Sequence, residues 1–368
     1  MSGSGMPAPS IPNLLTLRGA RGGSGARGRI RGRGGSNITT TTGSSAPSHD
    51  ATIQGTDTDA AVSRLSAVDL GYLEDPFARY FVQTPARRLP IINRGTYTRT
   101  TALDRLIDAF LFTTQGQERQ IVSLGAGTDT RAYRLFKDKA PSKLIYHEID
   151  FPLVTERKYH LTRAIPEMRA VMPKAELVDQ THTWRQEDLP NASQYWCHGL
   201  DLRHLSRSSE PPIQLLGLQT NVKTLLLSEC CLCYLQVAEA SGVIQYFKDQ
   251  IPRISLVIYE PTHPNDAFGK QMISNLAARR IRMPTLDKYT TTNEQEARLR
   301  DAGFSSAHSL TIEFIWEDWV SPEEKERVDG LEGLDEVEEW NLLADHYSIS
   351  WGWTGINLQN WRVRESGE

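Results

Sequence analysis

Gly125, Gly127 and Asp150 have the types and spacing of a nucleoside pocket. Residues 120–150 read QIVSLGAGTDTRAYRLFKDKAPSKLIYHEID. This is an apolar strand, a glycine turn, a helix and a second strand ending on an acid, the order of the phosphate-side half of a βαβ unit. Glycine lets the backbone turn sharply and approach a ligand closely, and an acid at the end of the second strand is placed to hold ribose hydroxyls. Thr130 stands where a dinucleotide site has its third glycine, so a nucleoside without phosphates fits better than a pyrophosphate. S-adenosylmethionine is such a ligand. The alternative is a glycine turn in an α/β domain that binds nothing there.

Arg94 and Arg99 form a second group, five residues apart in RGTYTR with Tyr97 between them. Guanidinium forks grip carboxylates in a fixed geometry, where lysine offers only a point charge. Pairing with surface acids is the other reading of both arginines. No His/Asp, Ser/His or Cys/His arrangement accompanies them. A carboxylate acceptor explains that absence: with a pKa of about 3.5 it is already ionised at neutral pH, so methyl transfer to it needs alignment rather than a general base.

The elements that must position these residues alternate in the α/β manner. Strands are expected at 120–125, 143–149, 195–200, 223–229, 253–260 and 307–315, with 346–351 closing the edge. Helices are expected at 59–70, 101–113, 152–164, 237–249, 266–280 and 293–302, the last stopped by Gly303. The reading is a Rossmann-like methyltransferase fold with a mostly parallel seven-stranded sheet, an N-terminal helical cap over 56–118 and an α/β core with insertions over 119–368. The acidic run from Glu323 to Glu339 reads as a solvated helix face.

Seven blocks in order, RGTYTR, LGAGTDTR, HEIDFPLVTERK, GLDLRHL, LLLSECCLCYL, IYEPTHPNDAFGKQM and DHYSISW, resemble the leucine carboxyl methyltransferases, in particular their fungal members, from about residue 59 to about residue 355. The resemblance implies methylation of the terminal leucine α-carboxylate of type 2A protein phosphatase catalytic subunits by S-adenosylmethionine without a metal, and through it regulation of phosphatase assembly. Carried over residue by residue, it places Arg99 at the methionyl carboxylate and close to the incoming leucine carboxylate, and Gly125 beside the methionyl group. It places Asp150 at the ribose, Asp201 and Leu202 beside adenine, and Glu229 near the donor ammonium. Arg64 stands where other members have lysine. Tyr234 falls in the tyrosine block, where it either orients the acceptor or is a buried core tyrosine. Leu200 in place of alanine, and CCLCYL in the tyrosine block, are departures that touch packing more than chemistry.

Composition sets outer limits. The chain has 368 residues, 39% of them apolar and 23% charged, enough for one large core. No apolar run approaches the 18 residues of a membrane span. Cys197, Cys230, Cys231 and Cys233 lack the spacing of a zinc site; three of them read as part of one apolar strand, which fits small core residues in a reducing cytoplasm, with nuclear residence also open. Residues 1–55 hold six of the 41 basic residues and one of the 45 acidic ones, together with glycine, serine and threonine. They are expected to be a disordered tail beside a single domain at 56–368. Such a tail could bind RNA weakly through phosphates, be simply solvated, or serve as a transit peptide, although it lacks an amphipathic face. A monomer is expected. The rivals are the related carboxyl methyltransferases of a transfer RNA wybutosine precursor, whose C-terminal propeller is not expected here, the polyketide carboxyl methyltransferases, and a non-catalytic phosphatase chaperone or RNA binder.

Overall fold

The computed structural model describes residues 49–178, 180–206, 213–335, 337–358 and 361. Its centre is a sheet of five parallel strands: β1 (Arg119–Leu124), β2 (Leu144–Asp150), β5 (Ser193–Gly199), β6 (Lys223–Glu229) and β7 (Ile254–Pro261). Each is buried on both faces along nearly its whole length, the pattern of strands covered by helices, with polar residues such as Gln120, His147 and Glu148 buried among the apolar ones. Antiparallel strands extend both sides: β3 (Glu176–Leu177) and β4 (Trp184–Leu189) beside β5, and β9 (Tyr347–Thr354) with β8 (Ser306–Thr311) beside β7. The spatial order is β3-β4-β5-β2-β1-β6-β7-β9-β8, nine strands among the described residues rather than seven. The two unforeseen strands form an antiparallel hairpin that buries Trp184, whose Nε1 donates to the Thr155 carbonyl at 3.2 Å.

Strand order reverses at β1, which pairs with β2 on one side and β6 on the other, so a crevice opens past their carboxyl ends. Helices α1 (His49–Asp69) and α2 (Pro90–Thr113) lie upstream of the sheet; α3 (Arg131–Arg134), α4 (Pro152–Ala164), α5 (Pro166–Val171) and α6 (Val237–Gln250) follow the strands. Helices α7 (Ala267–Ala278), α8 (Thr292–Asp301), α9 (Ile312–Trp319), α10 (Pro322–Asp329) and α11 (Val337–Asp345) belong to the second half.

Several expectations change. Helix α1 starts at His49, so residues 49–55 are helical, and the rest of the expected tail lies outside the described residues. Helix α2 starts at Pro90, which is favoured at a first helical position, and the RGTYTR block therefore sits on a helix. The strand expected over 307–315 ends at Thr311, whose hydroxyl accepts from the Phe314 N–H at 3.2 Å and starts α9. Strand β9 lies inside the sheet, and β8 forms the edge. Strand β6 stops at Glu229, so Cys230, Cys231 and Cys233 lie in the turn after it, not within it. The acidic run is divided between α10 and α11.

Candidate active site

One cavity of about 460 Å³ occupies the crevice, in the ~300–1,000 Å³ range of small-molecule sites. All nine residues singled out from the sequence line it; Arg94 does not. Gly125 and Gly127 take φ of +61° and +49°, the left-handed region that favours glycine. A Cβ on Gly125 would overlap the Cys231 thiol. Asp150, at the end of β2, accepts from the Gly127 N–H with Oδ2 and from its neighbour Phe151 N–H with Oδ1, both at 2.7 Å. Burial pushes its carboxyl up to about 7; those two N–H groups oppose the rise and Asp57 adds to it. Each oxygen retains a lone pair, so the group can accept two further hydroxyls.

Helix α1 closes over this wall through three acids that sequence reading passed over. Asp57 accepts from the Thr128 N–H and hydroxyl at 2.7 Å each, Asp59 pairs with Arg88 and with Arg279 at the end of α7, and Asp50 accepts from Arg203 at 2.8 Å. Arg64, also on α1, donates to the Thr128 carbonyl at 3.0 Å. Asp201 lines the cavity, but both its oxygens are taken by Arg203, at 2.6 to 3.0 Å. Leu202 therefore offers an apolar side chain where Asp201 offers an already paired carboxylate.

Arg99 stands between two walls. Its Nε lies 2.9 Å from Glu229 Oε1, and its guanidinium lies 5.4 Å from the centre of the Tyr259 ring. Its two terminal nitrogens donate to no protein atom among the described residues. Glu229 is shared, for Arg131 donates to its other oxygen at 2.7 Å. Burial alone would raise the Glu229 carboxyl; Arg131 and Arg99 hold it below the usual range, so it is a carboxylate at neutral pH. Beyond Tyr259, which stacks on Tyr347 of β9, the wall turns apolar: Phe268 and Met272 of α7, Met283, Ile312 of α9 and Trp340 of α11 line it. Burial holds the Tyr234 phenol well above its ordinary value, with the Cys233 and Cys230 thiols adding to the shift, so it is a neutral hydroxyl.

Arg94 has another task. It is buried, lies 4.7 Å over the Trp316 ring, and pairs with Asp329 of α10. Five residues of helix separate Arg94 and Arg99 by about 140° around the axis, which is why one reaches the cavity and the other the packed helices. No group of His, Cys, Asp and Glu that could hold a metal ion occurs among the described residues, and no helix among them is long and apolar enough to cross a membrane.

A donor such as S-adenosylmethionine carries an ammonium, a carboxylate, two ribose hydroxyls and the flat apolar face of its base. The cavity presents Glu229, the open end of Arg99, the spare lone pairs of Asp150 and Leu202. These match group by group. Comparison with known proteins agrees: the family model described as leucine carboxyl methyltransferase matches residues 52–248. Leucine carboxyl methyltransferase 1 of Emericella nidulans is 45% identical over 376 residues, covering 95% of each chain. That of Aspergillus fumigatus is 46% identical over 389 residues, covering 95% of this chain and 94% of the relative. Human tRNA wybutosine-synthesizing protein 4 is 32% identical over 320 residues, covering 86% of this chain but 46% of its own length. A family match over more than half the chain, with relatives this similar from end to end, makes this protein an S-adenosylmethionine-dependent methyltransferase of the leucine carboxyl methyltransferase family.

Proposed function

We propose that the protein methylates the α-carboxylate of the C-terminal leucine of type 2A protein phosphatase catalytic subunits, in the cytoplasm, and so regulates phosphatase assembly. The observation that carries this reading is Arg99, a half-buried cavity-lining cation paired with Glu229 at Nε and with no protein partner for its terminal nitrogens among the described residues, beside an apolar wall that suits a leucine side chain. The bound donor supplies an activated methyl group on a sulfonium. Arg99 holds the methionyl carboxylate and the incoming leucine carboxylate, Asp150 the ribose hydroxyls, and Glu229 the ammonium. Gly125 gives the methionyl group its close approach, and Asp201 and Leu202 flank adenine. The Tyr234 hydroxyl orients the acceptor. No residue need accept a proton, because the acceptor arrives ionised; alignment is what the site contributes. A short tail buries little surface, so the folded phosphatase supplies part of the specificity.

The test is transfer of labelled methyl from the donor to purified phosphatase catalytic subunit with and without its terminal leucine, and with that leucine amidated. Transfer only to the free leucine carboxylate is expected. Equal labelling of the amidated or truncated subunit would rule the reading out.

A further inference from the structure

Arg131 lies outside the cavity lining, yet it pairs with two of the carboxylates that line it, Asp129 and Glu229. Its side chain is 2% exposed. Nε donates to Asp104 of α2 at 2.7 Å, and one terminal nitrogen donates at 2.7 Å to both Asp129 and Glu229. Its backbone N–H donates to the other oxygen of Asp129 at 3.0 Å. It therefore ties the glycine turn, the end of β6 and helix α2 to one guanidinium. Asp104 lies five residues beyond Arg99 on α2, so the same tie sets that helix against the sheet.

An arginine and a carboxylate frequently form a bidentate pair, two nitrogens to two oxygens. Arg99 and Glu229 do not. Only Arg99 Nε meets Glu229, through Oε1, because Oε2 is held by Arg131. We propose that Arg131 is a positioning residue whose hold on Glu229 stops that carboxylate closing on Arg99, and so keeps the Arg99 fork open for the acceptor carboxylate. The inference rests on the role of Arg99 proposed above. Without Arg131, Glu229 becomes an internal competitor for the cation that the substrate needs.

The competition gives a test that a scaffolding role would fail. At saturating donor, Arg131→Met should raise the KM for leucine-terminated phosphatase by about tenfold or more. Adding Glu229→Gln to it removes the competitor and should recover most of that loss, although the double variant is no more stable to heat than the single one. If the double variant has the same acceptor KM as Arg131→Met, or a higher one, the inference is overturned and Arg131 is scaffold only. Should Arg131→Met fail to fold, Asp104→Asn serves instead, since Asp104 is partly exposed and anchors Arg131 from outside the cavity. An increase in acceptor KM of about threefold, relieved by Glu229→Gln, is expected; no increase, or no relief, overturns it equally. Failure of the proposed function would appear earlier, as wild-type protein that does not methylate the leucine-terminated subunit at all.

Discussion

The two walls of the cavity are built by opposite strategies. The donor wall comes from the ends of neighbouring parallel strands, β1, β2 and β6, whose register carries Gly125, Asp150 and Glu229 to one level. Its groups are polar and are fixed by backbone N–H groups and buried ion pairs. The wall proposed to receive the acceptor is assembled from α7, α9 and α11, elements far apart in sequence, and its inner surface is largely apolar. Arg99 stands at the seam, with Glu229 on one side and Tyr259 on the other. On the proposed function, placing the reacting carboxylate is a matter of the seam, and occupancy of each wall should be separable by substitution.

The largest effect is expected at the seam. Arg99→Lys keeps the charge and loses the fork, and turnover should fall by about a hundredfold, roughly 2.7 kcal/mol, with an unchanged circular dichroism spectrum; near wild-type turnover would contradict the role given to Arg99. On the donor wall, Asp150→Ala should weaken donor binding by about 1–3 kcal/mol, read by calorimetry, without changing the acceptor KM at saturating donor.

The pH dependence separates the walls again. Because the Asp150 carboxyl is pushed up to about 7, it loses its proton as pH rises from 6 to 8. Donor affinity should increase by about tenfold over that range and then level off, while turnover at saturating donor stays level, since no histidine lines the cavity among the described residues. Native protein holds that proton more tightly than unfolded protein does, so this group's contribution to the stability of the donor-free form should decline as pH rises from about 4 to about 7. Thermal melts of wild type and Asp150→Asn across that range measure it.

On the acceptor wall, Met272→Trp fills apolar space and should raise the acceptor KM by about tenfold while donor affinity stays within about twofold. The smallest effect belongs to Arg94→Lys. It loosens the packing on Trp316 and costs about 1 kcal/mol of stability, but turnover should remain within about threefold of wild type; a loss as large as that of Arg99→Lys would place Arg94 in the site after all.

The same contrast decides what the sequence made legible. Strand, glycine turn and terminal acid recur at fixed spacing, so the Gly125 and Asp150 part of the donor wall could be read from 31 consecutive residues, whereas Glu229 came only with the family resemblance. The beginning of α1 could not, because HDATIQGTDTD has no apolar periodicity; its acids are held by Thr128, Arg203 and Arg279, which are remote in the chain. The same remoteness hid the difference between Arg94 and Arg99, since the tryptophan that claims Arg94 lies more than 200 residues away. Arg131 was in plain view in GTDTR, yet nothing local says that its partners are Glu229 and Asp104. Strand β3 was missed because it is only two residues long, and β4 because WRQEDL is apolar only at its two ends.

Gly127 and Thr130 give the glycine signature a different meaning from the one a nucleotide site would assign. In addition to its left-handed backbone, Gly127 faces Asp57 of α1, whose carboxylate a Cβ there would displace. Thr130, the position at which a dinucleotide fold needs bare backbone, donates instead to Asp75 at 2.5 Å, and Asp75 in turn caps the Phe77 and Ala78 N–H groups. Two of the three fingerprint positions are therefore answering to the chain's own N-terminal cap. A change at either would first be felt as a poorly seated cap, with faster exchange of the backbone amides in α1, even in protein that has never met its donor.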